Sequence, residues 1–301
     1  MPPVRIRALL AGFLLAAAAP AHPRVRAPAP ARPHPALWVL EDADTTIWLF
    51  GTVHALPKDY AWDDATLDAA FDAARTLVIE TKLDPDPAAS AALLTRMATD
   101  RAAGLPPLAE RVSPAKRKGL ARMIAASGMP AAALDRMETW AAAMLLTAAR
   151  LGALGLRGEA GIEEQLKARF AGDRRPIEAF ETPAQQLGFF DALPEAEQRR
   201  FLASVVAAPS ADLKGFRRML AAWARGDEAA IAASFDTELK ASPRLRDVLL
   251  VRRNAAWADA IAARMQRPGA VLVAVGAGHL AGAQSVQAML RARGFRVKRV
   301  E

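Results

Sequence analysis

Strand-length apolar runs cluster near the two ends of this 301-residue chain, and the long stretch between them carries helical spacing. A sheet made by such a chain must bring those ends together, because a lone strand leaves its backbone donors and acceptors unpaired. Near the start, residues 37–40 and 45–50 read as two strands of a hairpin, joined by polar residues 41–44. Residues 63–75 place Leu67, Ala70, Phe71 and Ala74 at helical spacing, and the short β-type run 76–79 then ends in Glu80. Near the other end, residues 244–266 read as a helix and 270–275 as an apolar strand bounded by Gly269 and Gly276. A helix over 283–293 and a last strand over 295–300 follow.

The intervening stretch, about 84–243, is rich in Ala, Leu, Met and Arg, with a clear stripe at Leu134, Met137, Ala141, Leu145 and Ala148. One interruption, 176–181, looks extended, and Thr182-Pro183 after it has the form of a helix opening. The expected fold is α/β: a small mixed sheet core formed by the N- and C-terminal segments, with a large helical insertion over about 84–243.

Residues 1–21 have the form of a secretory signal peptide: Arg5 and Arg7, an apolar or small run from Ala8 to Ala19, and a possible cut at Ala19-Pro20-Ala21. The run of 12 residues reaches only ~18 Å as a helix, short of the ~30 Å of a bilayer core, so no stable membrane span is expected once it is cleaved. Residues 22–36, studded with proline and arginine, read as an extended tether, which leaves 37–301 as the folded domain. There is no cysteine, hence no disulfide, thiolate metal site or lipidation site. Export without a lipid anchor points to the periplasm, and the same facts admit full secretion. Of the formal net charge of +8, five charges sit before residue 36. With one tyrosine and no basic-aromatic clustering, nucleic acid is not an expected partner.

Two of the four histidines, His22 and His34, lie in the leader and tether. The other two share one context, an apolar strand followed by Gly-x-x-His: Gly51-Thr52-Val53-His54 and Gly276-Ala277-Gly278-His279. In open α/β sheets ligands bind beyond the carboxyl ends of strands, which is where both motifs fall. Gly51 and Gly276 allow a sharp turn or a close approach there. A phosphate-binding turn at Gly276-x-Gly278 lacks the rest of a dinucleotide fingerprint. Glu80 ends a third strand. Two imidazoles and a carboxylate suit a divalent first-row ion such as Mn²⁺, Co²⁺ or Zn²⁺, with His54, Glu80 and His279 as ligands. Arg253 shares a helical stripe with Leu249, Trp257 and Ile261. A guanidinium on an apolar face needs an acceptor, with Glu80, Glu181 or a substrate carboxylate as candidates. Snorkelling to the rim is the plainer alternative.

Taken in order, Gly51-Thr52-Val53-His54, Val78-Ile79-Glu80, Gly161-Ile162-Glu163, Phe180-Glu181-Thr182, Arg253-Asn254 before Trp257, and Gly276-Ala277-Gly278-His279 resemble the signposts of the TraB/GumN family, related to the Tiki secreted metalloproteases. The resemblance covers residues 37–301. It implies an α/β core with a helical insertion and a divalent-metal-dependent peptidase or related hydrolase. Metal and catalytic roles carry over to His54, Glu80 and His279, with Arg253 and Asn254 as further catalytic candidates. The middle motif departs from the family pattern, with Glu163 where Gly-x-Asp is expected. The substrate class is then a peptide or a small ester or amide. Two other readings stay open: a metal-independent esterase-like hydrolase with a histidine base, and a non-catalytic periplasmic protein that binds a metal, haem or a polymer fragment.

Overall fold

A computed structural model describes residues 33–99, 101–207, 213–239 and 242–300. The expected signal peptide and most of the tether lie outside the described residues. Strand β1 (Leu37–Glu41) and strand β2 (Thr45–Thr52) form the hairpin, closed by the Asp42 side chain, which accepts from the backbone N–H groups of Asp44 and Thr45. A short strand β3 (Leu56–Pro57) leads to helix α1 (Ala65–Ala73), capped by the Asp64 carboxylate, and to strand β4 (Thr76–Thr81).

Helices α2 (Pro87–Thr99), α3 (Pro114–Ser127), α4 (Ala131–Asp135) and α5 (Thr139–Ala153) follow. Strand β5 (Leu156–Arg157) pairs with β3, and helix α6 (Ile162–Gly172) leads into strand β6 (Ile177–Glu181). Helices α7 (Pro183–Asp191), α8 (Glu195–Ala207), α9 (Leu213–Ala224), α10 (Glu228–Leu239) and α11 (Pro243–Arg246) come next. A π-helical turn over 247–251 joins α11 to helix α12 (Arg252–Arg264). Strand β7 (Gly269–Gly276), helix α13 (Val286–Ala292) and strand β8 (Val297–Arg299) complete the chain.

Six strands form a mixed sheet in the order β6-β4-β7-β2-β1-β8. β2, β7, β4 and β6 run parallel, and only β1 runs against them. The two ends of the chain therefore meet at the centre: β2 and β7 are in register from Thr45↔Gly269 to Thr52↔Gly276. In β7 the period of two divides the core between faces. Leu272 and Ala274 join Phe50, Phe71, Leu77 and Trp223 on one side, whereas Val271, Val273 and Val275 join Leu49, Val78, Trp257 and Ile261 on the other. Helices α1, α6 and α9 thus cover the first face, and α12 and α13 the second.

The mixed α/β fold is as expected, and its sheet is larger than the two ends of the chain supply. In the middle of the helix-rich stretch the chain returns to the sheet: α6 buries Ile162, Leu166 and Phe170 against the first face, and β6 pairs with β4 as an edge strand. What stands apart is a helical body with its own apolar contacts, built around Trp140, Leu187 and Phe190 and around Leu120, Leu134, Leu146 and Leu202. No helix among the described residues is long and apolar enough to cross a membrane.

Candidate active site at the strand ends

Strand parity sets which side each functional group faces. Glu80 is in phase with Val78, so it turns towards α12, while Thr52 is in phase with Phe50 and turns towards α6. Each meets a charged partner there. The Thr52 hydroxyl donates to Glu163 at 3.0 Å, and Glu163 is in the first turn of α6. The Glu80 carboxylate accepts from the Arg253 guanidinium at 2.7 Å, and Arg253 is in the first turn of α12. His54 and His279 leave the adjacent ends of β2 and β7; His54 spans the two sides, from Glu163 to Glu80, and His279 lies on the second, against Glu80 and α12.

The expected residues His54, Glu80 and His279 come together. Nε2 of His54 lies 3.9 Å, and Nε2 of His279 3.7 Å, from the same Oε1 of Glu80. Each ring is oriented by its other nitrogen. Nδ1 of His54 is 2.9 Å from Glu163, and Nδ1 of His279 is 2.6 Å from the Asn254 carbonyl oxygen, so both rings donate from Nδ1. Asn254 is itself held by the Gln284 carbonyl, to which its amide donates at 2.8 Å. Arg253 is buried: Nε and Nη2 donate to Glu181 at 2.8 and 2.9 Å, and Nη1 lies 3.2 Å from Nε2 of His279. Trp257 donates to Glu181 at 3.0 Å, places its ring 4.6 Å from the guanidinium and packs on the His279 ring. Of the acceptors proposed for Arg253, Glu80 and Glu181 are both used, and the guanidinium does not snorkel. Removing it would strand two buried carboxylates, at a cost of about 3–5 kcal/mol.

The two histidines have opposite electrostatics. Burial disfavours a charged His54, but the charge and hydrogen bond of Glu163, helped by Glu80, outweigh it and raise the pKa from 6.5 to about 9. Burial dominates at His279, where Arg253 also opposes a second proton, and the pKa falls to about 3. Burial likewise works against a charged Glu80, but Arg253 and both histidines hold it well below the usual carboxylate range. Burial raises the Glu181 carboxyl from its ordinary value despite Arg253.

The glycines permit these approaches. A Cβ on Gly276 would lie 3.0 Å from Nε2 of His54 and 3.1 Å from Oε1 of Glu80, filling the space between them. One on Gly161 would overlap the His54 carbonyl. Gly51 and Gly278 instead serve packing, the first against Ala277 and the second beneath the Phe235 ring.

Among the described residues, the groups able to share one metal ion are His54, Glu80 and Glu163, whose ligand atoms all lie within 4.8 Å of one another. The expected third ligand, His279, stands close by, but Arg253 donates to the nitrogen that would face an ion. The cluster holds three carboxylates and one guanidinium: Arg253 pairs with Glu80 and Glu181, and Glu163 pairs with His54. With His54 neutral the three carboxylates and one guanidinium leave two negative charges unbalanced, which a divalent cation would offset, and one imidazole with two carboxylates is an ordinary donor set for one. Reading from the sequence missed Gln186 and Thr52 and gave Glu163 no role. The Gly161-Ile162-Glu163 run was the one signal for that acid.

The profile of the TraB/PrgY/gumN family matches residues 36–299. The chain is also similar to the uncharacterized protein YbaP of Escherichia coli (strain K12), with 28% identity over 188 residues covering 61% of this chain and 68% of the relative. YbaP of Shigella flexneri matches to the same extent. No solved structure matches.

Proposed function

From the premise that the chain belongs to the TraB/PrgY/gumN family, we propose that it is a metal-assisted hydrolase acting on peptides or on small esters and amides. The observation that carries this reading is the convergence of His54, Glu80 and Glu163 on one point beyond the strand ends. A divalent ion held there supplies Lewis-acid polarisation of a carbonyl. Glu163 fixes the His54 ring and turns Nε2 towards Glu80. Glu80 accepts from the Gly276 backbone, from Arg253 and from Gln186, so its charge is held and it acts as a ligand rather than a proton acceptor. Arg253, whose donors go to Glu80, Glu181, the Leu249 carbonyl and His279, is a rigid buried positive group that holds Glu80 charged and keeps the His279 ring in place. A cleft of about 580 Å³, lined by Lys58, Asp59, Tyr60, Arg157, Glu159 and Gln165, adjoins Gly161, which packs on the His54 backbone, and is the candidate place for the remainder of a polar substrate. The leader sequence favours a periplasmic setting for this chemistry.

A second reading rests on the His54–Glu163 pair at 2.9 Å, which needs no metal and has the arrangement of a base and its orienting acid, with His54 able to accept a proton once it is neutral, above about pH 9. Elemental analysis of purified wild type and His54→Ala, each reconstituted with Mn²⁺, Co²⁺ and Zn²⁺, decides between them. Near-stoichiometric metal in wild type, lost in the variant together with chelator-sensitive turnover of a peptide or ester library, is expected. Chelator-resistant turnover would transfer the reaction to the His54–Glu163 pair, and tight ligand retention without turnover would make the chain a binding protein.

A further inference from the structure

We infer that Gln186, which lies outside both histidine motifs, is a positioning residue that fixes the direction in which the Glu80 carboxylate faces. Glu80 receives hydrogen bonds from three separate parts of the fold. The Gly276 N–H at the end of β7 donates to Oε1 at 2.7 Å, and Arg253 on α12 donates to Oε2 at 2.7 Å. The third donor is the Gln186 amide on α7, 3.2 Å from Oε2. The last torsion of a glutamate side chain is broad and nearly two-fold, so its donors, not its rotamer, decide where each oxygen points. The two N–H groups on Nη2 of Arg253 go to different carboxylates, one to Glu80 at 2.7 Å and one to Glu181 at 2.9 Å, so Glu80 receives a single hydrogen bond from it. Without Gln186 each oxygen keeps one donor, Gly276 at Oε1 and Arg253 at Oε2, and the carboxylate loses the contact that resists its swing towards the guanidinium and away from the point where both imidazoles converge.

The placement of Gln186 suits this task. Its neighbour Leu187, and Phe190, anchor α7 in the core of the helical body, and Phe189 lies 5.5 Å from the Arg253 guanidinium. The backbone that carries the amide is therefore held on both sides, while the side chain itself is half-buried at the edge of the site. Through this one hydrogen bond the helical body touches the carboxylate on which the proposed chemistry depends. The inference rests on the metal-site reading for its consequence, but not for its geometry.

The test compares wild type with Gln186→Met, which keeps the length of the side chain and removes the donor. Two readouts are taken: Mn²⁺ affinity by competition with a chromophoric chelator, and the crystal structure of each protein without added metal. Mn²⁺ binding weaker by about 10–100-fold, the usual effect of losing a group that orients a ligand, is expected with an unchanged thermal midpoint and a rotated Glu80. A Glu80 carboxylate that superimposes on the wild-type position, with unchanged Mn²⁺ affinity, overturns the inference. If wild type binds no Mn²⁺ but Glu80 still rotates in the variant, the metal reading fails and the role of Gln186 stands.

Discussion

His54 and His279 occupy matching places after neighbouring parallel strands and donate from the same ring nitrogen, yet one holds a second proton to about pH 9 and the other gives it up at about 3. Burial penalises the charge on both rings; Glu163 at Nδ1 outweighs it for His54, whereas His279 has an amide oxygen at Nδ1 and the Arg253 guanidinium beside it. A stability consequence follows for chelator-treated protein. Folding raises the His54 value above 6.5, so its contribution is complete below that pH and is lost as pH climbs through about 9. The urea midpoint of wild type should fall across this window, and His54→Ala should flatten that limb; parallel curves would exclude His54 as the cause. Much of the site was legible residue by residue. The paired Gly-x-x-His motifs marked two strand ends, and Arg253 on an apolar stripe announced its buried acceptors. Glu163 was marked by the Gly161-Ile162-Glu163 run, but its role was not legible, because that comes from α6 docking beneath Thr52, a contact that no local pattern encodes.

The segment from β6 through α7 joins the sheet to the helical body. It supplies Glu181 to Arg253, Gln186 to Glu80 and Phe189 to the wall of the site. Its turn is closed by a reciprocal cap, in which Thr182 accepts from the Gln185 N–H and the Gln185 side chain accepts from the Thr182 N–H. Thr182→Ala should cost about 1 kcal/mol in urea unfolding and weaken metal binding in parallel with Gln186→Met; an unaltered midpoint would show that the turn is held by packing alone. The extended run at 176–181 and the helix opening after it could both be read in advance. That β6 would pair with β4 could not, since parallel strands choose partners across long connections and leave no turn signal behind. The hairpin of β1 and β2 was the easy case for the opposite reason.

At the scale of the whole molecule, β7 lies between β4 and β2, so a strand from the last part of the chain joins the two halves of the sheet. Deleting residues 269–301 removes this strand and β8 and exposes both apolar faces, and the shortened chain is expected to lose cooperative unfolding by circular dichroism. A sigmoidal melt in the shortened chain would mean that the helical body folds as an independent unit. The same arrangement has a consequence in time. A ribosome making this chain finishes His54, Glu80 and Glu163 while His279 and the strand that sets it in place are still untranslated. The full set of groups comes into being in a single late event, and until then the growing polypeptide carries the parts of a centre without the centre.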